Sequence, residues 1–233
     1  MPIFKLDSDQ IYFPPAHLAH SSGILAIGGD LSPERLLLAY KKGIFPWFNP
    51  DEPAVWWSPD PRCVILPEKL KVSKSMRQLL RKGKFGVTFD QDFLGVIRAC
   101  RDVYRPGQEG TWISDEIIDS YYQLHREGFI HSVEVWEEGQ LIGGLYGGNL
   151  GKAFFGESMF AKASNASKYG LIMLVKNLEE QGHDLIDCQV HTHHLESLGA
   201  EMIPRLDFLE AIEQQEQIDR RNWNEVFRTD FDF

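Results

Sequence analysis

The sequence predicts an α+β fold: a small N-terminal domain followed by a larger one with a mixed, mostly antiparallel sheet flanked by helices. Three observations carry this. HSVEVWE, QLIGGLYGG and KAFFGES read as consecutive strands separated by the turn-rich EEGQ and GGNLGK. ASKYGLIMLVKNLEEQG then reads as a helix and LIDCQV as a buried strand. A stretch crowded with Pro and Trp interrupts all periodicity before residue 62. With 233 residues and 43% apolar content, the chain can bury a sizeable core.

The elements follow in order. MPIFKLDSDQ mixes charges with apolar positions and lacks the features of a signal peptide, and no apolar run approaches membrane-spanning length. A soluble cytoplasmic protein without a membrane partner is expected. Ser32 and Pro33 stand where an N-cap and a first helical residue belong, and Gly43 closes the run, giving a helix at 33–42. IFPWFNPDEPAVWWSPDPR is too rich in proline for a regular element, so a loop and a domain junction are expected there, dividing the chain into 1–62 and 63–233. CVILP is a short strand candidate, Ser73 caps a helix running to Gly83, FGVTFD alternates like a strand, and a helix covers about 91–102. The loop VYRPGQEGTWI leads to Ser114, which caps DEIIDSYYQLHREG. Beyond LIDCQV a helical portion is expected from about 194 to 218, and the tail RRNWNEVFRTDFDF is given no role. Three antiparallel strands followed by helix, strand and helix is the order of the N-acetyltransferase-like superfold.

Charge and cysteine usage narrow the function. A net charge of −10 argues against general attraction to nucleic acid, so any RNA contact must be local. KLKVSKSMRQLLRKGK supplies such a site, with Lys69, Lys71, Lys74, Arg77, Arg81, Lys82 and Lys84 and no acidic residue among them. A solvated helix face is the plain alternative. Cys63, Cys100 and Cys188 are widely spaced and odd in number, which disfavours disulfides and structural zinc. HTHH at 191–194 has no acidic or Cys partner at a standard metal-ligand spacing.

GGDLSPERLLLAYKKGIFPWF, WWSPDPRCVILP, EGTWI, FFGESMF and LIDCQV, in that order, make the chain resemble the leucyl/phenylalanyl-tRNA-protein transferases from about Ile24 to about Arg205. The resemblance implies transfer of Leu, Phe or less readily Met from aminoacyl-tRNA to proteins beginning with Arg or Lys, marking them for N-degron proteolysis. It implies no cofactor and no metal, and a monomer is expected. The donor is an activated ester and the acceptor an α-amine of reference pKa about 7.7–8.0. Positioning, proton removal and oxyanion stabilisation are therefore needed more than a strong nucleophile.

The resemblance also assigns residues. Gln189 accepts a hydrogen bond from the attacking amine, Asp187 orients or polarises Gln189, and Glu157 sits beside the aminoacyl group and the amine, with Ser158 and Met159 at the rim or wall of the same pocket. Strand alternation puts Asp187 and Gln189 on one face and turns Cys188 to the other, which weakens a reading of Cys188 as nucleophile with His191 or His193 as base. Leu145, Phe154, Phe155, Leu174 and Leu178 match the apolar pocket for the transferred side chain, although Leu at i and i+4 is also ordinary core. Trp112, Tyr40 and Tyr121 match positions that stack on or border the terminal adenosine. Lys71, Lys74, Arg77, Arg81, Lys82 and Lys84 are expected to meet tRNA phosphates.

Two other classes compete. An acyl-CoA-dependent N-acetyltransferase would use the same superfold, but FAKASNASKYG lacks the Gly-rich pyrophosphate loop of that class. A non-catalytic tRNA-binding module leaves Glu157, Asp187 and Gln189 without a purpose.

Overall fold

The structure is a computed structural model that describes residues 3–49, 52–104, 111–213 and 221–233. Strand β1 (Phe4–Leu6) pairs in parallel with β2 (Ile24–Gly28). Both escape sequence reading because so few residues show little alternation. Helix α1 (Pro33–Lys41) begins where the Ser32 hydroxyl accepts from the Arg35 N–H. It is followed by Gly43 at φ 67°, where an added Cβ would lie 2.6 Å from Leu209 and 2.9 Å from Phe208.

The aromatic, proline-rich stretch departs from the expected loop. It contains β3 (Phe45–Pro46) and β4 (Val55–Trp57), which pair antiparallel and complete a sheet of order β1-β2-β4-β3. Pro46 is tolerated because β3 is an edge strand.

The second sheet starts with β5 (Arg62–Ile65), followed by α2 (Lys74–Arg81), β6 (Gly86–Phe89), α3 (Phe93–Asp102) and α4 (Asp115–Arg126). Ser73 and Ser114 cap α2 and α4 as expected, accepting from the N–H groups of Met76 and Ile117. The meander β7 (Ile130–Glu137), β8 (Gln140–Leu150) and β9 (Ala153–Ala161) leads into α5 (Ala166–Glu180) and β10 (Leu185–Gln189). Then come α6 (His193–Glu196), β11 (Glu201–Ile203), α7 (Arg205–Glu213) and α8 (Trp223–Val226). The helical portion expected from 194 to 218 is thus broken by a strand: Gly199 at φ 99° turns the chain and β11 adds to the edge of the sheet. Residues 214–218 lie outside the described residues, as do Pro106, Gly107 and Gly110 of the loop before Trp112.

The order of this sheet is β11-β5-β10-β9-β8-β7-β6, antiparallel throughout except for β9 and β10. This is the mixed, mostly antiparallel sheet read from the sequence, with α3 on one face and α5 on the other. Alternation divides the sheet's side chains between two cores. Phe155, Tyr146 and Phe160 join α1, α3 and α4 on one side, while Phe154, Leu145 and Val133 join α5 on the other. No helix of the described residues is long and apolar enough to cross a membrane.

One buried ion pair ties these parts together. Arg62 on β5 donates from Nε and Nη2 to the Asp187 carboxylate on β10, at 2.8 and 2.6 Å, and from Nη1 to the Gly43 carbonyl at 3.1 Å. Its guanidinium also lies 4.7 Å from the Phe45 ring and 4.5 Å from the Phe208 ring. Both partners are almost wholly excluded from solvent, so removing one strands a charge. We predict that Arg62→Met, which keeps volume, lowers the unfolding free energy by about 3–5 kcal/mol, and that the pair Arg62→Met with Asp187→Leu recovers most of the loss. Urea denaturation checks this, and a near-neutral Arg62→Met would show that Asp187 is not held as a desolvated charge.

Candidate active site

Strands β9 and β10 pair only through Leu185↔Ala153, Ile186↔Phe154 and Asp187↔Phe155. Beyond that point each carries a bulge. The register of β9 against β8 shifts between Tyr146 and Gly147, leaving Glu157 as the extra residue, and that of β10 against β5 shifts between Asp187 and Gln189. Bulges bend strands and increase their twist. Here they mark the point at which two parallel neighbours part and a cavity of about 520 Å³ opens in the fork.

The β10 bulge has a local cause. The Asp187 Oδ1 accepts the backbone N–H of Gln189 at 2.8 Å, and Gln189 adopts φ 63°, a region that non-glycine residues rarely enter. Arg62 fixes the carboxylate that fixes this turn. The Gln189 side chain then reaches β9, where its Nε2 donates to Glu157 Oε1 at 3.0 Å. Tyr121 O–H donates to Glu157 Oε2 at 3.0 Å, and the hydroxyls of Tyr121 and Tyr40 are bonded at 2.8 Å.

Burial pushes the Glu157 carboxyl up to about 7, against the lowering effect of hydrogen bonds from Tyr40 and Tyr121; the Asp187 charge adds to the rise and Arg62 opposes it. The phenols of Tyr40 and Tyr121 are pushed well above the ordinary range, by burial first and then by the Glu157 charge. A carboxyl balanced near neutrality and an amide anchored beside it can together bind an amine and take its proton.

The remaining walls sort by chemistry. Leu145, Phe154, Met159, Leu171 and Ile186 supply apolar surface, Ser158 lies beside Glu157, and Phe45, Trp47 and Trp112 also border the cavity. Trp112 is half-buried and lies between α3 and α4 in neither helix nor strand. Several expectations need correction. Leu174 and Leu178 are fully buried in the core below α5, and the α5 residues that line the cavity are Ser167 and, one turn before Leu174, Leu171. Phe155 faces the opposite core, 5.3 Å from Tyr40. Tyr40 and Tyr121 are buried and offer no open ring face to a base; they sit behind Glu157. Because β10 bulges, alternation fails at its end: Asp187, Cys188 and Gln189 all border the cavity, and the Asp187 side chain turns to Arg62. Cys188 is therefore not turned away, but its Cys63 neighbour and burial push its thiol well above the ordinary range, which suppresses the thiolate.

The expected basic residues Lys71, Lys74, Arg77, Arg81, Lys82 and Lys84 are all exposed on and around α2. Lys69 pairs with Glu201 at 3.0 Å, Lys84 with Glu137 at 3.9 Å, and the Arg81 Nε with the Phe233 carbonyl oxygen. Phe85, after this segment, packs edge-on against Tyr169 at 5.4 Å, in the first turn of α5 beside the cavity-lining Ser167. His191 and His193 flank Glu196 at 3.3 Å each, and His194 borders the cavity. Sequence reasoning missed Arg62, Trp47 and Leu171, although the first two lie in WWSPDPR and GIFPWF.

Glu157 gives a pH signature. The folded chain binds its proton more tightly than the unfolded chain, so this group's contribution to stability declines as pH rises from 4.5 through about 7 and is level outside that window. Glu157→Gln should abolish this decline. The difference in urea-unfolding free energy between the two chains, followed from about pH 4 to about pH 8, checks it. A constant difference would mean that Glu157 titrates alike folded and unfolded.

Residues 64–213 match the family model described as leucyl/phenylalanyl-tRNA protein transferase, and residues 29–60 match that of its N-terminal domain. The leucyl/phenylalanyl-tRNA--protein transferase of Christiangramia forsetii is 58% identical over 202 residues, covering 86% of this chain and 95% of the relative. That of Syntrophobacter fumaroxidans is 54% identical over 209 residues, covering 90% and 89%. Among solved structures, a GCN5-related N-acetyltransferase-like protein from Streptococcus suis is 12% identical with a TM-score of 0.36, covering 69% of this chain and 59% of that one. L-PGS from Bacillus licheniformis is 7% identical with a TM-score of 0.39, covering 72% and 53%. On the two family matches and the identity to these relatives over most of its length, the chain belongs to the leucyl/phenylalanyl-tRNA protein transferase family of aminoacyltransferases.

Proposed function

We propose that this enzyme transfers Leu, Phe and less readily Met from aminoacyl-tRNA to the α-amine of proteins that begin with Arg or Lys, creating a new N-terminal residue that marks them for proteolysis. The observation that carries this reading is the Glu157–Gln189 pair at the mouth of the β9–β10 fork, beside an apolar cavity. An apolar wall distinguishes side chains by shape alone, and one methylene is worth only about 1–3 kcal/mol there, which suits a donor set of several apolar residues. We read residues 1–62 and 63–233 as two domains, supported by the two separate sheets and the two family matches.

The mechanism is direct aminolysis. The acceptor nitrogen attacks the ester carbonyl carbon, the carbon–oxygen bond to the ribose breaks, and the tRNA departs with a free hydroxyl. Glu157 takes a proton from the amine. With its carboxyl at about 7 and the amine's reference at about 7.7–8.0, that transfer is nearly balanced. Glu157 releases that first proton to solvent, takes a second from the nitrogen as the neutral amine attacks, and delivers it to the leaving ribose oxygen. Gln189, its Nε2 committed to Glu157, offers its amide oxygen to an amine N–H and so aligns the lone pair. Asp187 touches neither substrate in this scheme; it is a positioning residue that holds the Gln189 backbone.

Lys71, Lys74, Arg77, Arg81, Lys82 and Lys84 meet tRNA phosphates in this reading, and Trp112 stacks on the terminal adenosine. A transfer assay with Leu-charged tRNA and peptides that begin with Arg or Ala tests the function; transfer to Arg alone is expected, and none to Arg overturns it. Gln189→Ala should lower the transfer rate by about 10²–10⁴ while affinity for charged tRNA is retained. Lys74→Glu with Arg77→Glu should weaken tRNA binding and flatten its log–log salt dependence by about 0.7–0.9 per lost phosphate contact. Transfer from a short aminoacyl-adenosine donor should be spared, and equal loss with both donors would refute the phosphate role.

A further inference from the structure

Tyr40 on α1 and Tyr121 on α4 lie behind the cavity, and their rings are enclosed. Tyr40 packs on Phe129 and Phe155 at 5.2 and 5.3 Å, and Tyr121 on Trp112 and Tyr146 at 6.4 and 5.7 Å. Buried phenols need hydrogen-bond partners. These two satisfy each other and Glu157, whose second oxygen takes the Gln189 amide. The carboxylate is thus held from both sides, by an amide on β10 and by a hydroxyl chain from the core.

We propose that Tyr40 and Tyr121 are positioning residues for Glu157: the hydroxyl pair fixes the carboxylate's orientation and supports its negative charge from behind. Helix α1 thereby serves the transfer site without touching either substrate. An ionised carboxylate only accepts, so the chain runs from the Tyr40 O–H to Tyr121 and from the Tyr121 O–H to Glu157, each bond polarising the next. The titratable and charged groups facing this carboxylate are Tyr40 from α1, Tyr121 from α4, Asp187 from β10 and Arg62 from β5, with Tyr146 of β8 beside Tyr121. The two phenols are the donors on the core side. The proposal rests on Glu157 being the amine's proton acceptor.

Tyr121→Phe and Tyr40→Phe keep the ring packing and delete only the hydroxyls. The readout is the pH profile of kcat/KM for transfer from charged tRNA to a peptide beginning with Arg. The acceptor amine's own ionisation is common to all variants. Tyr121→Phe should move the Glu157 ionisation upward by about one to two pH units, since a donor to the charged form is lost. Tyr40→Phe should move it the same way, and KM for charged tRNA should hold in both. A raised KM with an unmoved ionisation overturns the proposal and makes the tyrosines neighbours of the terminal adenosine instead. Glu157→Gln separates the two levels. If the ionisation near neutrality survives in Glu157→Gln, the proton-acceptor reading falls and the proposal with it. If it vanishes there but stays unmoved in Tyr121→Phe, the tyrosine proposal alone falls.

Discussion

The bidentate pair between Arg62 and Asp187 is where the architecture and the chemistry meet. Arg62 is locked by the Gly43 carbonyl and the Phe45 and Phe208 rings, so segments before β5, on β5 and in α7 converge on one guanidinium. Asp187 spends its oxygens on that guanidinium and on the Gln189 N–H, and so passes the arrangement to the residue at the end of β10. Two desolvated charges are costly unless their geometry and hydrogen bonds are complete. That condition makes the end of β10 an unforgiving place and holds Gln189 in a backbone conformation it would otherwise avoid.

The second constraint is the parting of β9 and β10. Parallel neighbours that stayed paired would bury the space between them, and the bulges at Glu157 and before Gln189 prevent it. The bulges also place the proposed proton acceptor and its amide neighbour, since the residues they re-aim are the two that bond across the gap. Opening the cavity and placing its functional groups are one structural event.

Much of this was legible in the sequence. Ser32, Ser73 and Ser114 gave three helix starts because capping is local chemistry. The meander and its following helix and strand were readable from period and turns. Strands β1 to β4 were not, being two to five residues long and recognisable only by their partners. The site residues on β9 and β10 are reached through motif resemblance, but alternation wrongly turns Cys188 away from the cavity it borders, because the bulge in β10 breaks the alternation. Leu171, Leu174 and Leu178 share one helical face, and nothing in their spacing says which of them stands at the cavity and which lies deeper. The burial of Tyr40 and Tyr121 depends on α1 and α4 closing over β9, a tertiary fact without a local signature.

The division of the larger sheet's side chains between two cores has a consequence for divergence. Leu145, Phe154 and Leu171 belong to the α5 side, whereas Tyr40, Tyr121 and Phe155 belong to the other. Substitutions that reshape the apolar wall are separated by the thickness of a sheet from the groups behind Glu157, and effects of residues without shared partners add nearly independently. On the proposed assignment of the proton chemistry to Glu157 and of donor choice to the apolar wall, descendants of this sequence can therefore drift in which side chain they accept while that chemistry stays fixed, and a change of donor does not require the site to be rebuilt.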